Sequence, residues 1–379
     1  MPSVAHPPLK PISNNPHSPL YIGLMSGTSM DGVDGVLVDF SSSFPQVVRH
    51  AHLPFNEALK KTLIKLNYSG ETPHELEIAT TTAIELSHLY AQCVNQLKDP
   101  QETIRAIGCH GQTIRHQPDK GFTIQLVNGA LLAELTGIDT LCDFRARDIA
   151  AGGQGAPLVP RVHQAWFSTD HCHRVIVNLG GIANITNLDP HASVIGFDCG
   201  PANILLDEWI RHCKGVAYDK NGAWGRLGQV NNALLNALLT HPFLAMPPPK
   251  STGREAFNLN WLLSFNLVHK LTPEDVQATL TEFTTLCVAR AIQPLRGNLS
   301  LEVVLCGGGA LNQLLVERLA ANLPNVILTS TDQLGIPVDQ VEATAFAWFA
   351  MAFDQRIPGN LVSVTGAKHP VVLGTLYPA

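Results

Sequence analysis

At 379 residues the chain exceeds what one ordinary hydrophobic core organises, so two domains are expected. A formal charge of −6 and a pI near 6.2, with no Lys/Arg run, exclude a basic face for nucleic acid. Hydrophobic residues make up 45%, but no apolar run approaches about 18 residues, which excludes a membrane-spanning helix.

The proline-rich N-terminus, MPSVAHPPLKPISNNPHSPL, lacks an apolar signal core and reads as a flexible tail. From Tyr21 to Phe40 an apolar run, a polar turn and a β-branched run follow one another, the pattern of a hairpin. Its turn, Ser26-Gly27-Thr28-Ser29-Met30-Asp31-Gly32, offers glycines, small hydroxyls and backbone N–H groups that suit a triphosphate. Asp31 and Asp34 could hold magnesium-bound water. A plain glycine-rich hairpin explains the same residues unless the rest of the chain completes a nucleotide site.

Val47 to Leu53 continues as a third strand. Two helices follow, one from about Asn56 with Leu59, Leu63 and Leu66 on one face, and one to about Leu97. The second opens on a capping box, Thr72-Pro73-His74-Glu75. Ile104 to Cys109 is a strand ending in His110-Gly111-Gln112-Thr113, and Thr123 to Val127 and Asp139 to Asp143 are strands around a helix from about Asn128 to Thr136. Phe144-Arg145-Ala146-Arg147-Asp148 then leads into Gly152-Gly153-Gln154-Gly155-Ala156-Pro157, which is charged, glycine-rich and without period. It reads either as a cleft loop at a domain junction or as a linker.

At Arg174 the opening pattern returns. Val175 to Leu179 is a strand, Gly180-Gly181 a turn, Ile182 to Leu188 and Val194 to Asp198 are strands, and a helix starts near Pro201. Two halves facing each other across a cleft would explain both the repeat and the length. Further helices are expected over Gly228 to Leu239, Thr272 to Ala291 and Val338 to Phe353, the last carrying Glu342 near its start. Met246 to Arg254, MPPPKSTGR, is a rigid basic loop, and Leu301 to Cys306 is a buried-type strand ending in Gly307-Gly308-Gly309. That last step suits close approach of a nucleotide base or ribose.

Several chemistries are excluded. No G-x-x-x-x-G-K-[ST] occurs, and Asn312 stands where a dinucleotide fingerprint needs its third glycine. Gly27-Thr28-Ser29-Met30 resembles the nucleophile segment of subtilisin-like proteases, but only His6 and His17 precede Ser29, both in the tail. His171-Cys172-His173 with His163 reads as a metal site or as a solvated turn. The eight cysteines are scattered without a CxxC pair, the pattern of reduced cytoplasmic thiols. Asp198, between a strand end and Gly200, is placed as a general base or as a helix N-cap.

Seven ordered motifs carry a family resemblance: Gly23 to Gly32, Gly108 to Thr113, Ala151 to Pro157, Asn178 to Gly181, Phe197 to Pro201, Cys306 to Gly309 and Gly335 to Pro337. Together they resemble the anhydro-N-acetylmuramic acid kinases, over Tyr21 to Ala379. Ala202 departs from the pattern where many relatives have glycine, and the tail has no counterpart in it. The resemblance implies the α/β fold of the sugar kinase, actin and heat-shock ATPase superfamily, a duplicated mixed sheet flanked by helices around a cleft. It implies a tail over 1–18, a first domain over 19–140 rejoined by 355–379, and a second over 141–354.

By the same resemblance, Gly27, Thr28, Ser29, Met30, Asp31, Gly32, Val33 and Asp34 form the first phosphate turn, with Asp31 at magnesium. Gly180 and Gly181 form the second turn, and Gly307, Gly308 and Gly309 approach the adenosine. Asp198 matches the base for an attacking water, and Glu342 a second acid that holds the water or the sugar. His110, Gln112, Thr113, Arg147 and Gln154 are placed at the sugar. The implied reaction opens 1,6-anhydro-N-acetylmuramic acid with water and phosphorylates O6 from ATP with Mg²⁺, in a cytoplasmic homodimer serving cell-wall recycling. The competing expectations are a kinase of another sugar on the same fold and an ATP-binding switch without a small-molecule acceptor.

Overall fold

The computed structural model describes residues 18–27, 30–68, 70, 73–297 and 299–379. The first half runs β1 (Leu20–Met25), β2 (Gly32–Asp39), β3 (Gln46–Pro54), α1 (Glu57–Leu66), α2 (Glu75–Leu97), β4 (Ala106–Cys109), a hairpin of β5 (Gln112–Gln117) and β6 (Phe122–Leu126), α3 (Gly129–Thr136) and β7 (Thr140–Cys142). Helices α4 (Phe144–Ala150) and α5 (Pro160–Phe167) lead into β8 (His173–Leu179), β9 (Ile182–Leu188), β10 (Ile195–Pro201) and α6 (Asn203–Lys214). Then come α7 (Asn232–Leu238), α8 (Leu259–Leu263), α9 (Pro273–Ile292), β11 (Leu301–Cys306), α10 (Gln313–Asn322) and β12 (Ile327–Ser330). The chain closes with α11 (Val341–Asp354), α12 (Val362–Thr365) and β13 (Thr375–Tyr377).

Beside the two-stranded β5-β6 sheet, two larger sheets form among the described residues, ordered β3-β2-β1-β4-β7-β13 and β10-β9-β8-β11-β12. In each, the first three strands form an antiparallel meander. The fourth runs parallel to the first, and the fifth parallel to the fourth. The expected repeat is therefore a repeat of topology, strand for strand. The C-terminal β13 pairs antiparallel with β7.

Side-chain alternation decides which core each strand feeds. On β2, Val33 and Leu37 enter an outer core with α1 and α2. Val36 and Val38 point the other way, into a central core that also takes Ile176 and Val304 from the second sheet. Helices α5, α11 and α12 fill that central layer, and α6 and α9 cover the outer face of the second sheet. Helix α11 lies on the first sheet because two strand positions lack a Cβ. A Cβ on Gly23 would stand 1.9 Å from the Ala343 carbonyl oxygen, and one on Gly108 would stand 2.0 Å from that of Phe346. Backbone meets backbone there, which only glycine permits.

Some expectations are corrected. Phe144 to Asp148 is helix α4, not loop: its charged residues flank the buried Phe144 and Asp148, which anchor it. Gln112 to Gln117 is a strand, made legible only by its pairing with β6. Thr72 of the expected capping box lies outside the described residues, and α2 starts after His74, at φ 55°. Helix α7 is shorter than expected, because Asn231 Oδ1 accepts the Leu234 N–H and starts it there. His173 is not in a solvated turn. It opens β8, is buried, and bonds Asn187.

Candidate active site

The first turn is tethered from both sides. Gln112 Nε2 donates to the Gly27 carbonyl at 3.2 Å, and the Phe55 N–H donates to that of Asp31 at 3.0 Å. Met30 takes the left-handed φ of 56° and buries its side chain in the outer core, so it anchors the turn. Gly32 is needed because a Cβ there would stand 2.4 Å from the Leu53 carbonyl oxygen. Val33 is fully buried, so only its backbone can face a ligand. Ser26 does not offer its hydroxyl as expected: it is buried, 2.7 Å from the Tyr90 hydroxyl and 3.2 Å from the Gly111 carbonyl oxygen. Thr28 and Ser29 lie outside the described residues.

The two acids of this turn differ. Asp31 is exposed. Asp34 is held by β3, with His52 Nδ1 at 2.8 Å and His50 Nε2 at 3.6 Å. Burial would raise the Asp34 carboxyl, but the hydrogen bonds with both histidines outweigh it and hold it below the usual range.

Behind the turn lies a group of titratable side chains. Arg145 on α4 donates to His110 Nε2 from Nε at 3.1 Å and faces it from Nη2 at 3.0 Å, while Nη1 donates to the Gly155 carbonyl at 2.8 Å. Burial, with Arg145 adding to it, pushes the His110 imidazole down to about 3, so the ring is a neutral acceptor. Glu342, in the first turn of α11, receives Asn178 Nδ2 at 3.4 Å. Burial raises its carboxyl; Arg145 opposes the rise, and Asp34 and Asp31 add to it. These carboxylates thus share one electrostatic neighbourhood.

Asn178 leads across the second sheet. It pairs with Asn184 on β9, and Asn184 pairs with Asp198 on β10. Paired residues face one side, so Asn178, Asn184 and Asp198 form a half-buried polar row about 10 Å long on that face. At Asp198 the register slips, the next pairing being Gly200 with Ala183. The Asp198 N–H donates to the Lys250 carbonyl at 3.1 Å, and one carboxylate oxygen, Oδ2, accepts the Thr252 N–H at 2.9 Å. Burial pushes this acid up to about 6, partly offset by the Thr252 hydrogen bond. The N-cap alternative is corrected: α6 starts at Asn203 after Ala202, and Asp198 sits inside the strand. Ala202 has a negative φ of −109°, so the position does not call for the left-handed backbone that favours glycine.

Gly180 and Gly181 join β8 to β9, their carbonyls accepting the N–H groups of Asn203 and Ala202 at 3.0 and 2.9 Å. Gly307, at φ +81°, packs on Asn178 and Leu179, and among the described residues none beyond its chain neighbours comes within 4 Å of a Cβ built on Gly308. Both turns thus stand at the ends of neighbouring strands, beside the polar row. Among the sugar candidates, His110 is buried at the Arg145 cluster and Gln112 against the first turn, and Gln112 Oε1 has no hydrogen-bond partner among the described residues. Thr113 is half-buried, whereas Arg147 and Gln154 are exposed. Arg145, which the sequence does not single out, reaches His110; on the helix it and Arg147, two residues on, point about 200° apart. No group of three or more potential metal ligands occurs among the described residues.

The anhydro-N-acetylmuramic acid kinase family model matches residues 19–379. The anhydro-N-acetylmuramic acid kinase of Ralstonia nicotianae is 50% identical over 375 residues, covering 95% of this chain and 97% of its own. That of Nitrosomonas europaea is 50% identical over 366 residues, covering 95% and 99%. Among solved structures, the chain is similar over 89% of its length to the ADPNP-bound activator of the 2-hydroxyisocaproyl-CoA dehydratase from Clostridium difficile (96% of that chain, 14% identity, TM-score 0.45). With the family model matched over residues 19–379 and relatives matched nearly end to end, the chain belongs to the anhydro-N-acetylmuramic acid kinase family.

Proposed function

We propose that the protein is an ATP-dependent kinase that opens 1,6-anhydro-N-acetylmuramic acid with water and phosphorylates the freed O6, giving N-acetylmuramic acid 6-phosphate. The observation that carries this reading is Asp198, a strand-mounted acid pushed up to about 6 by burial, with one oxygen held by Thr252. That value is suited to a base working near neutral pH. The ionised carboxylate takes a proton from water as the water oxygen bonds to the anomeric carbon. The bond from that carbon to O6 breaks, and O6 bonds to the γ-phosphorus of ATP as ADP leaves.

Phosphoryl transfer is chiefly positioning and electrostatics. The turn at Gly27 to Asp34 cradles the phosphates through its backbone, Gly180 and Gly181 face them from the second sheet, and Gly307 to Gly309 take the adenosine. Asn178 and Arg145 restrain Glu342, which orients the water or sugar. His110, neutral, and Gln112, with an unpaired oxygen, support the sugar side, and Thr113, Arg147 and Gln154 border it. Asp31, exposed, fits a Mg²⁺ held mostly by phosphate oxygens and water. Bound there, the ion would neutralise phosphate charge.

We read two lobes, 19–140 with 355–379 and 141–354, with α11 reaching from the second onto the first sheet. No helix among the described residues is long and apolar enough to cross a membrane. A cytoplasmic homodimer is part of the same reading. The test is a phosphoryl-transfer assay with MgATP on the anhydro sugar beside ordinary N-acetylmuramic acid. Product from the anhydro sugar supports the reading. Turnover of another sugar alone, or of none, overturns it.

A further inference from the structure

The loop from Met246 to Arg254 lies along the edge of β10 at Asp198. Its contacts come from the backbone: the Lys250 carbonyl accepts the Asp198 N–H at 3.1 Å, and the Thr252 N–H donates to Asp198 Oδ2 at 2.9 Å. Lys250 fixes the loop from inside. Its Nζ donates to the carbonyls of Phe243 and Leu244 at 3.2 and 3.3 Å and lies 4.6 Å above the buried Phe243 ring. At the far end Arg254 Nη1 donates to Glu208 Oε1 at 3.1 Å, and Glu208 Oε2 accepts the Leu259 N–H at 2.6 Å. The loop is therefore tied down on both sides of the two bonds it makes to Asp198.

A backbone N–H neither titrates nor rotates away, so it fixes a carboxylate more firmly than a side-chain donor does. Among the described residues the Asp198 carboxylate accepts this bond alone. We propose that loop 246–254 is a positioning clamp for the Asp198 carboxylate, the Thr252 N–H holding Oδ2 so that the other oxygen is presented to the attacking water. The proposal rests on the reading of Asp198 as the base. The groups facing that carboxylate are Lys250, Glu255 and, next to it on β10, Cys199.

Thr252→Pro deletes the N–H, and Thr252→Ala retains it. With Thr252→Pro, kcat should fall roughly 10- to 10²-fold, the KM for ATP should stay, and the acid limb of the kcat/KM profile should move to higher pH, since a bond favouring the ionised acid is lost. Thr252→Ala should keep the wild-type acid limb. Lys250→Met, which cuts both ties to the carbonyls, should lower kcat without changing the KM for ATP and decides the matter on kcat if Thr252→Pro does not fold, because losing a facing cation by itself moves the limb the same way. Asp198→Asn is assayed beside them. An inactive Asp198→Asn with wild-type kcat and acid limb in the folded loop variants overturns the clamp alone. An Asp198→Asn with wild-type turnover overturns the reading of the base, and the clamp with it.

Discussion

Two aspartates, the fully enclosed Asp148 and the half-buried Asp198, differ in their surroundings. Asp148 on α4 is fully enclosed and bonded at both oxygens. Oδ2 accepts the Gly155 N–H at 2.8 Å, and Oδ1 accepts Asn360 Nδ2 at 2.6 Å and Thr365 Oγ1 at 2.7 Å. Asp198 has one amide on one oxygen, retains some exposure, and is pushed up to about 6. A carboxylate bonded at both oxygens holds structure together; one left short of donors is held ready for a proton. Asp148 joins α4, the Gly152–Pro157 segment and α12, and so sets Arg145 behind the site. Asp198 does the proposed chemistry.

The comparison breaks most visibly at Asp148. Asp148→Ala strands three donors in a dry interior and should destabilise the fold by about 3 kcal/mol or more, read as a fall in Tm, with activity lost along with structure. If Tm is unchanged, the junction is not structural. Next in size is Glu342→Gln, which keeps shape but removes the charge that Asn178 and Arg145 restrain. Turnover should fall roughly 10- to 10²-fold while Tm holds, and an unchanged kcat removes Glu342 from the site.

Asp198→Asn should have the opposite sign from Asp148→Ala in stability. An acid whose native value is about 6 against about 3.9 unfolded binds its proton more tightly when folded. Its contribution is therefore present below the unfolded value and lost as pH rises through about 6. The Asn variant should be more stable than wild type at pH 7 by up to about 3 kcal/mol, with the gain vanishing near pH 4. A loss at pH 7 in calorimetry contradicts the burial account. Smallest is Asp31→Ala, expected to weaken MgATP roughly tenfold, about 1.4 kcal/mol, and to leave nucleotide affinity without Mg²⁺ nearly as it was. Equal weakening with and without the ion removes Asp31 from the metal.

The duplicated strand pattern was legible because each strand–glycine–strand unit is a local signal, and the two halves repeat it in the same order. What lay beyond reach was contact across the chain. That Gly23 and Gly108 exist to let α11 rest on β1 and β4 follows from residues more than 200 positions apart. Arg145 became visible only once α4 was a helix and His110, 35 positions away, was beside it. The polar row of Asn178, Asn184 and Asp198 is a matter of register, which spacing alone does not fix. Ser26 read as a phosphate ligand because its partner, Tyr90, comes from a distant helix.

The central claim, that Asp198 takes the proton from the water that opens the sugar, is tested most directly by following both products in Asp198→Asn. The variant should bind ATP and the anhydro sugar nearly as wild type does, yet turn over at least about 10²-fold more slowly. Because O6 is tied in the anhydro bridge until water attacks, opened sugar and phosphorylated sugar should disappear together. Near-normal turnover, or accumulation of opened but unphosphorylated sugar, would contradict the account.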